Sequence, residues 1–217
     1  RPILIGWPTV IEYRLEKAQL RIRPGMDFDL VNPESDERYR ECWETYLKLM
    51  VRRGVTPAIA KSALRRDNTV IGALLLRLGY ADGLLCGTSG LYAEHLQVVR
   101  DVIGKRSDVN TLGAMNYLML PGRSLFICDT HVNQDPSAQE IAEITLMAAE
   151  QVRRFGVQPK VALLSHSNFG SSPSESARKM SHAASLISAM SARELEVDGE
   201  MHGDAALSEE FRRAANP

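Results

Sequence analysis

Short apolar runs alternate with segments of helical periodicity along most of the chain. This alternation is typical of parallel strands joined by crossover helices. The predicted strands cover residues 3–5, 28–31, 83–86, 161–164 and 196–197. Their apolar residues are continuous rather than alternating, which suits a sheet covered on both faces. The pattern therefore predicts an α/β fold with mainly parallel sheets.

Two helix starts are marked by proline. Thr56-Pro57 and Asp135-Pro136 each place an N-cap residue before a proline at the first helical position. After Asp135, apolar residues recur at helical spacing as far as Gly156, so one side of this helix is predicted to pack on the sheet. A further helix is predicted over residues 92–103.

One segment breaks the alternation of strands and helices. Residues 112–120 and 124–128 are strand-like runs joined by Pro121-Gly122-Arg123, which predicts a tight antiparallel hairpin. The hairpin opens a second lobe, and a charged and polar stretch precedes it. We therefore predict two α/β lobes, residues 1–106 and 107–217.

Composition narrows the class of protein. The 217 residues are 44% hydrophobic and carry 26 basic against 27 acidic side chains, a formal charge of -1. This balance argues against the broad basic surface that sequence-independent nucleic-acid binding needs. No apolar stretch approaches the roughly 20 residues of a membrane span, and no signal-peptide layout is present. We expect a cytoplasmic protein with neither nucleic acid nor membrane as a partner.

The three cysteines and the ends of the sequence add two expectations. Cys42, Cys86 and Cys128 are an odd, scattered set, which predicts reduced thiols rather than a disulfide framework. The sequence begins at Arg1 directly in a strand-like run, without a methionine. We therefore expect it to be part of a longer polypeptide.

A serine-rich loop follows the predicted strand 161–164. Ser172 and Glu175, with Pro173 between them, predict a capping box at the next helix. Free N–H groups and the helix dipole at such an end favour an anion, typically phosphate. A well-capped connection without a ligand fits the same residues, and the pattern alone leaves both interpretations open.

A second loop, residues 82–90, also leads from a predicted strand into a helix. In open α/β sheets ligands bind at the carboxyl ends of strands, so the two loops are candidates for one shared cleft. This loop lacks both the G-x-G-x-x-G pattern and the P-loop lysine, which disfavours nucleotide binding of those kinds.

Two further polar loops, residues 129–133 and 198–204, also follow strands. Their Asp, Glu and His residues lack a recognisable metal-ligand spacing, so helix caps are favoured over a metal site. His131, His166 and His202 are each of a type that acts as a general base near neutral pH, but no triad can be assembled from the sequence. No catalytic residue is predicted in these loops.

Taken together, the loops resemble the phosphate acetyl/butyryltransferase family. The resemblance rests on four stretches: Ala81-Asp82-Gly83-Leu84-Leu85-Cys86-Gly87, residues 126–133, residues 161–171, and Val197-Asp198-Gly199-Glu200 followed by Asp204-Ala205-Ala206. It implies a two-lobed, three-layer α/β/α fold that is phosphotransacetylase-like and related to the isocitrate/isopropylmalate dehydrogenase fold. It also implies that the C-terminal part of that fold, with the family's catalytic serine and arginine, lies beyond Pro217.

The sequence is most similar to one branch, the phosphotransacetylase-like C-terminal domain of large hybrid NADP-dependent malic enzymes. Three stretches carry this: residues 1–6, Arg52-Arg53-Gly54-Val55-Thr56, and residues 164–171. In the third stretch, Asn168 and Phe169 stand where ordinary transferases usually have threonine and lysine.

Two departures from the family pattern bear on activity. Active members resemble one another in having an arginine four residues before the glycine matched by Gly54, and another sixteen residues after the alanine matched by Ala81. Counting along this chain gives Met50 and Gln97. Acyl transfer involving phosphate needs cationic donors, and losing one typically costs about 10² to 10³ in rate. Arg52 and Arg53 leave the chain at other angles and are weak substitutes.

The resemblance therefore implies a regulatory acetyl-CoA-binding domain of a malic enzyme, itself without catalysis. NADP and a divalent metal are expected in a malic enzyme domain on its N-terminal side, and no cofactor is expected in this chain. An active phosphate acetyltransferase and a structural dimerisation domain remain alternatives. We expect a homodimer or higher homo-oligomer, with the cleft and the dimerisation surface in the second lobe. The expected ligand residues are Thr88, Tyr92, His95, Asp129, Asn133, Ser165, Ser167, Asn168, Gly170 and Ser171.

Overall fold

A computed structural model describes residues 1–190 and 195–215. It divides the chain into two units, Arg1–Gly104 and Lys105–Pro217. Two lobes were predicted, residues 1–106 and 107–217. The cleft and the dimerisation surface expected in the second lobe stay predictions.

The first unit begins with a short parallel sheet. Strand β1 (Ile3–Ile5) pairs with β2 (Asp29–Val31), and Ile3 lies opposite Asp29. Helix α1 (Pro8–Lys17) connects them. The unit continues through α2 (Tyr39–Met50), a 3-10 turn (Val51–Arg53), α3 (Pro57–Arg66), α4 (Asn68–Arg77), α5 (Tyr92–Val98) and a π-helical turn (Val99–Ile103).

Helix α4 is the centre of the first unit. All seven residues from Thr69 to Leu75 are buried, because this stretch is apolar on every side and a helix of that kind must be enclosed by its neighbours. Its first turn is capped by Asp67, whose carboxylate accepts from the Thr69 amide at 2.7 Å. The predicted cap of α3 is confirmed, since the Thr56 hydroxyl accepts from the Ile59 amide at 3.3 Å.

The predicted strand over residues 83–86 was wrong. Among the described residues this segment has no strand partner, and Leu85 is 101% exposed. Its neighbour Leu84 packs instead on α4, so closely that a Cβ atom on Gly72 would lie 2.5 Å from the Leu84 Cδ1 atom. The apolar run is explained by this contact with a helix, which no local pattern in the sequence indicates.

The second unit opens with the predicted hairpin, which is confirmed. Strand β3 (Met115–Leu120) pairs antiparallel with β4 (Arg123–Cys128), and Leu120 lies opposite Arg123. The cross-strand pair of Tyr117 and Phe126 stacks with ring centroids 4.8 Å apart.

The remainder of the second unit alternates helices with parallel strands. It comprises α6 (Ala138–Arg154), β5 (Lys160–Leu164), α7 (Glu175–Met190), β6 (Glu196–Met201), α8 (Gly203–Leu207) and α9 (Glu209–Ala215). Strands β5 and β6 run parallel, with Val161 opposite Val197. Among the described residues, two strand pairs are parallel and one is antiparallel. This confirms the predicted α/β class with mainly parallel sheets.

The start of α6 lies two residues later than predicted. Its N-cap is Ser137, whose hydroxyl accepts from the Glu140 amide while the Glu140 carboxylate accepts from the Ser137 amide. This reciprocal capping box satisfies two free donors at once. Asp135, the predicted cap, instead pairs with Lys179 of α7.

Small residues hold the core of the second unit together. Ala142 and Ala149 of α6 and Ala183 of α7 are buried against Leu163 of β5. Alanine lets helix backbones approach closely, and the apolar area removed from water stabilises the contact. No helix among residues 1–190 and 195–215 combines the length and the apolarity needed to cross a membrane.

Strand β6 passes close to the backbone of β5 at Gly199. Its φ is +121°, and a Cβ atom there would lie 2.7 Å from the Leu163 carbonyl oxygen. Both the backbone conformation and the space therefore require glycine at this position.

We expect Gly199→Ala to lower the free energy of unfolding by about 2 to 4 kcal/mol, because a left-handed strain is added to a backbone clash. Gly122→Ala is the matched control, since Gly122 has a φ of +76° with nothing near its Cβ position. It should cost only about 1 to 2 kcal/mol. Urea denaturation of the purified chain measures both, and equal losses would contradict the clash.

Candidate functional site

The serine loop, residues 165–174, extends from the end of β5 to the start of α7. Its first residues continue the pairing with β6: the Ser165 amide donates to the Met201 carbonyl at 2.9 Å, and the Phe169 amide to the Glu200 carbonyl at 2.8 Å. The loop is therefore built on the end of the parallel pair, the edge at which open α/β folds bind ligands.

A buried carboxylate lies at the centre of this loop. Glu200 is 2% exposed, and its Oε1 atom accepts from the Ser167 hydroxyl at 2.9 Å and from the Gly170 amide at 2.7 Å. Ser167 is wholly buried. Buried charges are costly unless they are well hydrogen-bonded, and these two donors supply that compensation.

The protonation of Glu200 reflects the same contacts. Burial by itself acts to raise the pKa of the carboxyl, and this is the largest single effect. The Gly170 amide, the amide of Glu200 itself, and the hydroxyls of Ser167 and Ser181 outweigh it, so the pKa lies below its ordinary value. Glu200 is thus ionised at neutral pH.

Ser167 also links the rest of the serine loop. Its Oγ atom accepts from the Ser172 amide at 3.1 Å and lies 3.3 Å from the Ser171 hydroxyl. The Ser171 hydroxyl in turn accepts from the Asn168 amide at 2.9 Å. Two predicted ligand residues, Ser167 and Gly170, therefore have their donors directed at Glu200.

Asn168 has a fixed orientation with its donors available. Its Oδ1 atom accepts from the His202 amide at 2.7 Å, so the amide group cannot be reversed without losing this bond. The Nδ2 group makes no hydrogen bond within the described part of the chain, and the side chain is half-buried. The Ser165 hydroxyl accepts from the Ser167 amide at 3.2 Å and keeps its own proton to donate.

The predicted capping box of Ser172 and Glu175 was wrong. The residue that caps α7 is Ser174, whose hydroxyl accepts from the Ala177 amide at 3.3 Å. Ser172 lies two residues before this cap. Its amide donates to the Ser167 hydroxyl, and its own hydroxyl accepts from the Ser174 amide. The His166 Nε2 atom lies 3.0 Å from the Ser174 hydroxyl, so this histidine joins the cap.

The loop after β4 is closed by Asp129. This carboxylate accepts from the Ala114 amide at 3.0 Å, from the Asn133 amide at 2.9 Å and from the Asn133 side chain at 2.6 Å. The structure thus brings two predicted ligand residues together, each engaged in holding its own loop. Across residues 1–190 and 195–215, no group of three or more acidic, His or Cys side chains is placed to hold a metal ion.

His95 anchors the candidate loop of the first unit. Its Nε2 atom lies 2.7 Å from the Ser89 carbonyl and its Nδ1 atom 2.9 Å from the Thr69 hydroxyl. A carbonyl only accepts, so Nε2 carries a proton. Thr88 and Tyr92 flank this contact and are exposed.

The two departures from the family pattern lie in the first unit. Met50 is buried at the end of α2. Gln97 is exposed and donates to the Asp101 carboxylate at 2.9 Å. The same carboxylate forms an ion pair with Arg53, so this guanidinium already has a counter-ion.

The predicted ligand set is divided between the two units. Three of its residues, Thr88, Tyr92 and His95, belong to the first, and the others belong to the second. Their role in binding stays a prediction. Sequence reasoning did not single out Glu200 as the centre of the serine loop, although Glu200 belongs to one of the four stretches that carry the family resemblance.

Comparison with known proteins places these features in context. The family model described as phosphate acetyl/butaryl transferase matches residues 1–217. The NADP-dependent malic enzyme of Escherichia coli is 55% identical over 217 residues, which are 100% of this chain and 28% of that protein. The NAD-dependent malic enzyme of Rhizobium meliloti is 51% identical over the same shares.

A solved structure agrees with the fold. A phosphotransacetylase from Streptococcus pyogenes superposes with a TM-score of 0.82 at 27% identity, covering 100% of this chain and 65% of that one. The chain spans 28% of the length of each of the two malic enzymes named above.

We expect Ser167→Ala to lower the free energy of unfolding by about 1 to 3 kcal/mol, because Glu200 loses a donor and the Ser172 amide loses its acceptor. Ser185→Ala serves as the control, since that hydroxyl is exposed on α7 and donates only to the Ser181 carbonyl. It should change stability by less than about 0.5 kcal/mol. Urea denaturation compares the two variants, and equal effects would show that the Ser167 network is unimportant for stability.

Proposed function

Because this chain belongs to the phosphate acetyl/butaryl transferase family, we propose that it is a regulatory acetyl-CoA-binding domain of a malic enzyme. The observation that carries the proposal is its 55% identity, over its whole length, to an NADP-dependent malic enzyme. The parent protein would oxidatively decarboxylate malate to pyruvate, and this domain would bind the effector without transforming it.

Loss of catalysis follows from the two family positions without an arginine. Transfer of an acyl group between phosphate and a thiol develops negative charge, which cationic donors must stabilise. Met50 is buried and uncharged, and Gln97 is an amide that already donates to Asp101. Arg53 is a candidate replacement, but its pairing with Asp101 offsets its charge.

Retention of binding is supported by the serine loop. The Asn168 Nδ2 group and the Ser165 hydroxyl are donors with defined positions. In the first unit, Thr88 and Tyr92 are exposed next to the anchored His95. These polar groups suit the amides and carbonyls of an acyl-CoA, and their role requires no cation.

The oxidoreductase chemistry would belong to the rest of the polypeptide. The described residues contain no cluster suited to a metal ion, so no step of malate decarboxylation is derived from them. NADP and a divalent metal would be bound by a malic enzyme domain of the same chain. Because both NADP- and NAD-dependent relatives occur, the choice of coenzyme would also be made there.

Regulation would work by linkage between the two domains. An effector that changes the activity of a distant site must bind two states of the protein with different affinity, typically by 1 to 3 kcal/mol. The domain would therefore contact its malic enzyme partner within a cytoplasmic homo-oligomer. Inhibition and activation are both compatible with this scheme.

A second candidate is an active phosphate acetyltransferase. It is favoured by the structural match to a phosphotransacetylase with a TM-score of 0.82. It requires a cationic group to replace the arginines missing at Met50 and Gln97. Acetyl phosphate turnover therefore distinguishes the two candidates directly.

We expect the full-length protein to bind acetyl-CoA without converting acetyl phosphate and CoA, and to change its malate oxidation rate when acetyl-CoA is bound. Asn168→Ala should weaken binding by about tenfold, since the Nδ2 donors are lost. Asn110→Ala is the matched control, because the hydrogen bonds of Asn110 are made by its backbone. Calorimetry measures affinity, and a coupled assay measures turnover.

Each alternative outcome points to another function. Turnover of acetyl phosphate would establish the transferase. If the protein neither binds acetyl-CoA nor converts acetyl phosphate, this chain would be a structural domain. Dimerisation would then be the remaining role of the chain.

A further inference from the structure

We propose that Glu200 is the positioning residue of the serine loop: its buried carboxylate is the anion around which the loop closes, and it thereby fixes the groups that meet the ligand. The inference rests on the proposed function and deepens it. It concerns a residue that makes no contact with the ligand itself.

Neutral donors balance the charge of Glu200. Its carboxylate is 2% exposed, and no lysine, arginine or histidine forms an ion pair with it in the described part of the chain. The compensation for its burial comes from neutral donors, of which Ser167 and Gly170 belong to the serine loop. A buried anion held only by such donors requires them to stay in place. The conformation of the loop is therefore coupled to this carboxylate.

The backbone of the serine loop is unusual at Phe169 and Gly170. Phe169 has a φ of 46° and Gly170 a φ of 85°, so two successive residues are left-handed. Phenylalanine adopts that conformation only when its surroundings impose it. Here the Phe169 amide donates to the Glu200 carbonyl and the Gly170 amide to the Glu200 carboxylate. Glu200 thus holds both residues of the turn.

Hydrogen bonds connect this turn to the proposed ligand groups. Ser167 receives its position from Glu200 and in turn donates its amide to the Ser165 hydroxyl. Asn168 precedes the turn directly, and its side chain accepts from the His202 amide. Removing the carboxylate would release Ser167 and Gly170, and the donors of Ser165 and Asn168 would lose their fixed directions.

The same arrangement indicates the chemistry of the contact. The sequence pattern left open whether the loop binds an anion, and two of its donors already hold one that belongs to the protein. A second negative charge beside a buried carboxylate is repelled. The serine loop is therefore suited to an uncharged polar part of the ligand, such as an amide or a thioester carbonyl, rather than to a phosphate.

The test uses the full-length protein with Glu200→Gln and Glu200→Ala. Glu196→Gln is the matched control, because Glu196 lies on the same strand with its side chain 70% exposed and pairs with Lys160 at the surface. Calorimetry gives acetyl-CoA affinity, and hydrogen exchange of residues 165–172 reports the order of the loop. Each variant is measured with sodium formate and with sodium chloride at equal ionic strength.

We expect wild-type affinity for Glu196→Gln and a loss of about tenfold to a hundredfold for Glu200→Ala. Glu200→Gln should lose less, because its amide oxygen still accepts from Ser167 and Gly170. Formate should restore both affinity and exchange protection in Glu200→Ala only, since it supplies the missing carboxylate. A merely structural residue would not show rescue confined to this loop.

Three results would overturn the inference. One is Glu200→Ala binding within about twofold of wild type, and another is faster exchange throughout the second unit without rescue by formate. The third result applies if Glu200→Ala does not fold. It is wild-type affinity and wild-type loop protection in Glu200→Gln. Failure of the wild type to bind acetyl-CoA would instead remove the proposed function, while exchange and formate rescue would still decide whether Glu200 orders the loop.

Discussion

A carboxylate enclosed by protein must be surrounded by donors, and the second unit is organised to meet this requirement at Glu200. The strand β6 delivers the carboxylate to the end of the parallel pair, where Ser167 and Gly170 donate to it. Gly199 makes this possible, because only a residue without a side chain can pass so close to the Leu163 carbonyl. The serine loop and the cap of α7 follow from a chain of hydrogen bonds that begins at this group.

Local patterns in the sequence were sufficient where the structure is locally determined. The hairpin on either side of Gly122 and the cap at Thr56 were predicted and confirmed, since each depends on neighbouring residues. The pattern over residues 83–86 misled because Leu84 fills a space above Gly72, which is distant in sequence. The same limit applies to Glu200, whose donors come from residues 30 and 33 positions away.

The helix caps show a finer version of this limit. A proline after a polar residue predicted caps at Asp135 and at Ser172, yet the hydroxyls that accept from the first turns belong to Ser137 and Ser174. In both places several residues are chemically able to cap. The competition is decided by outside contacts, since Asp135 pairs with Lys179 and the Ser172 amide is bound by Ser167.

Under the proposed function, binding would outlast catalysis because the two depend on different groups of the protein. Stabilising a transition state requires cations at defined positions, and their loss removes the rate enhancement without disturbing the fold. In the first unit, Gln97 and Arg53 are both directed at Asp101, so this carboxylate would compete for an arginine introduced at position 97. Binding through uncharged donors would depend instead on the internal anion of the second unit, which is buried in that unit. Selection for regulation would thus preserve the Glu200 network while releasing the constraint on the arginines.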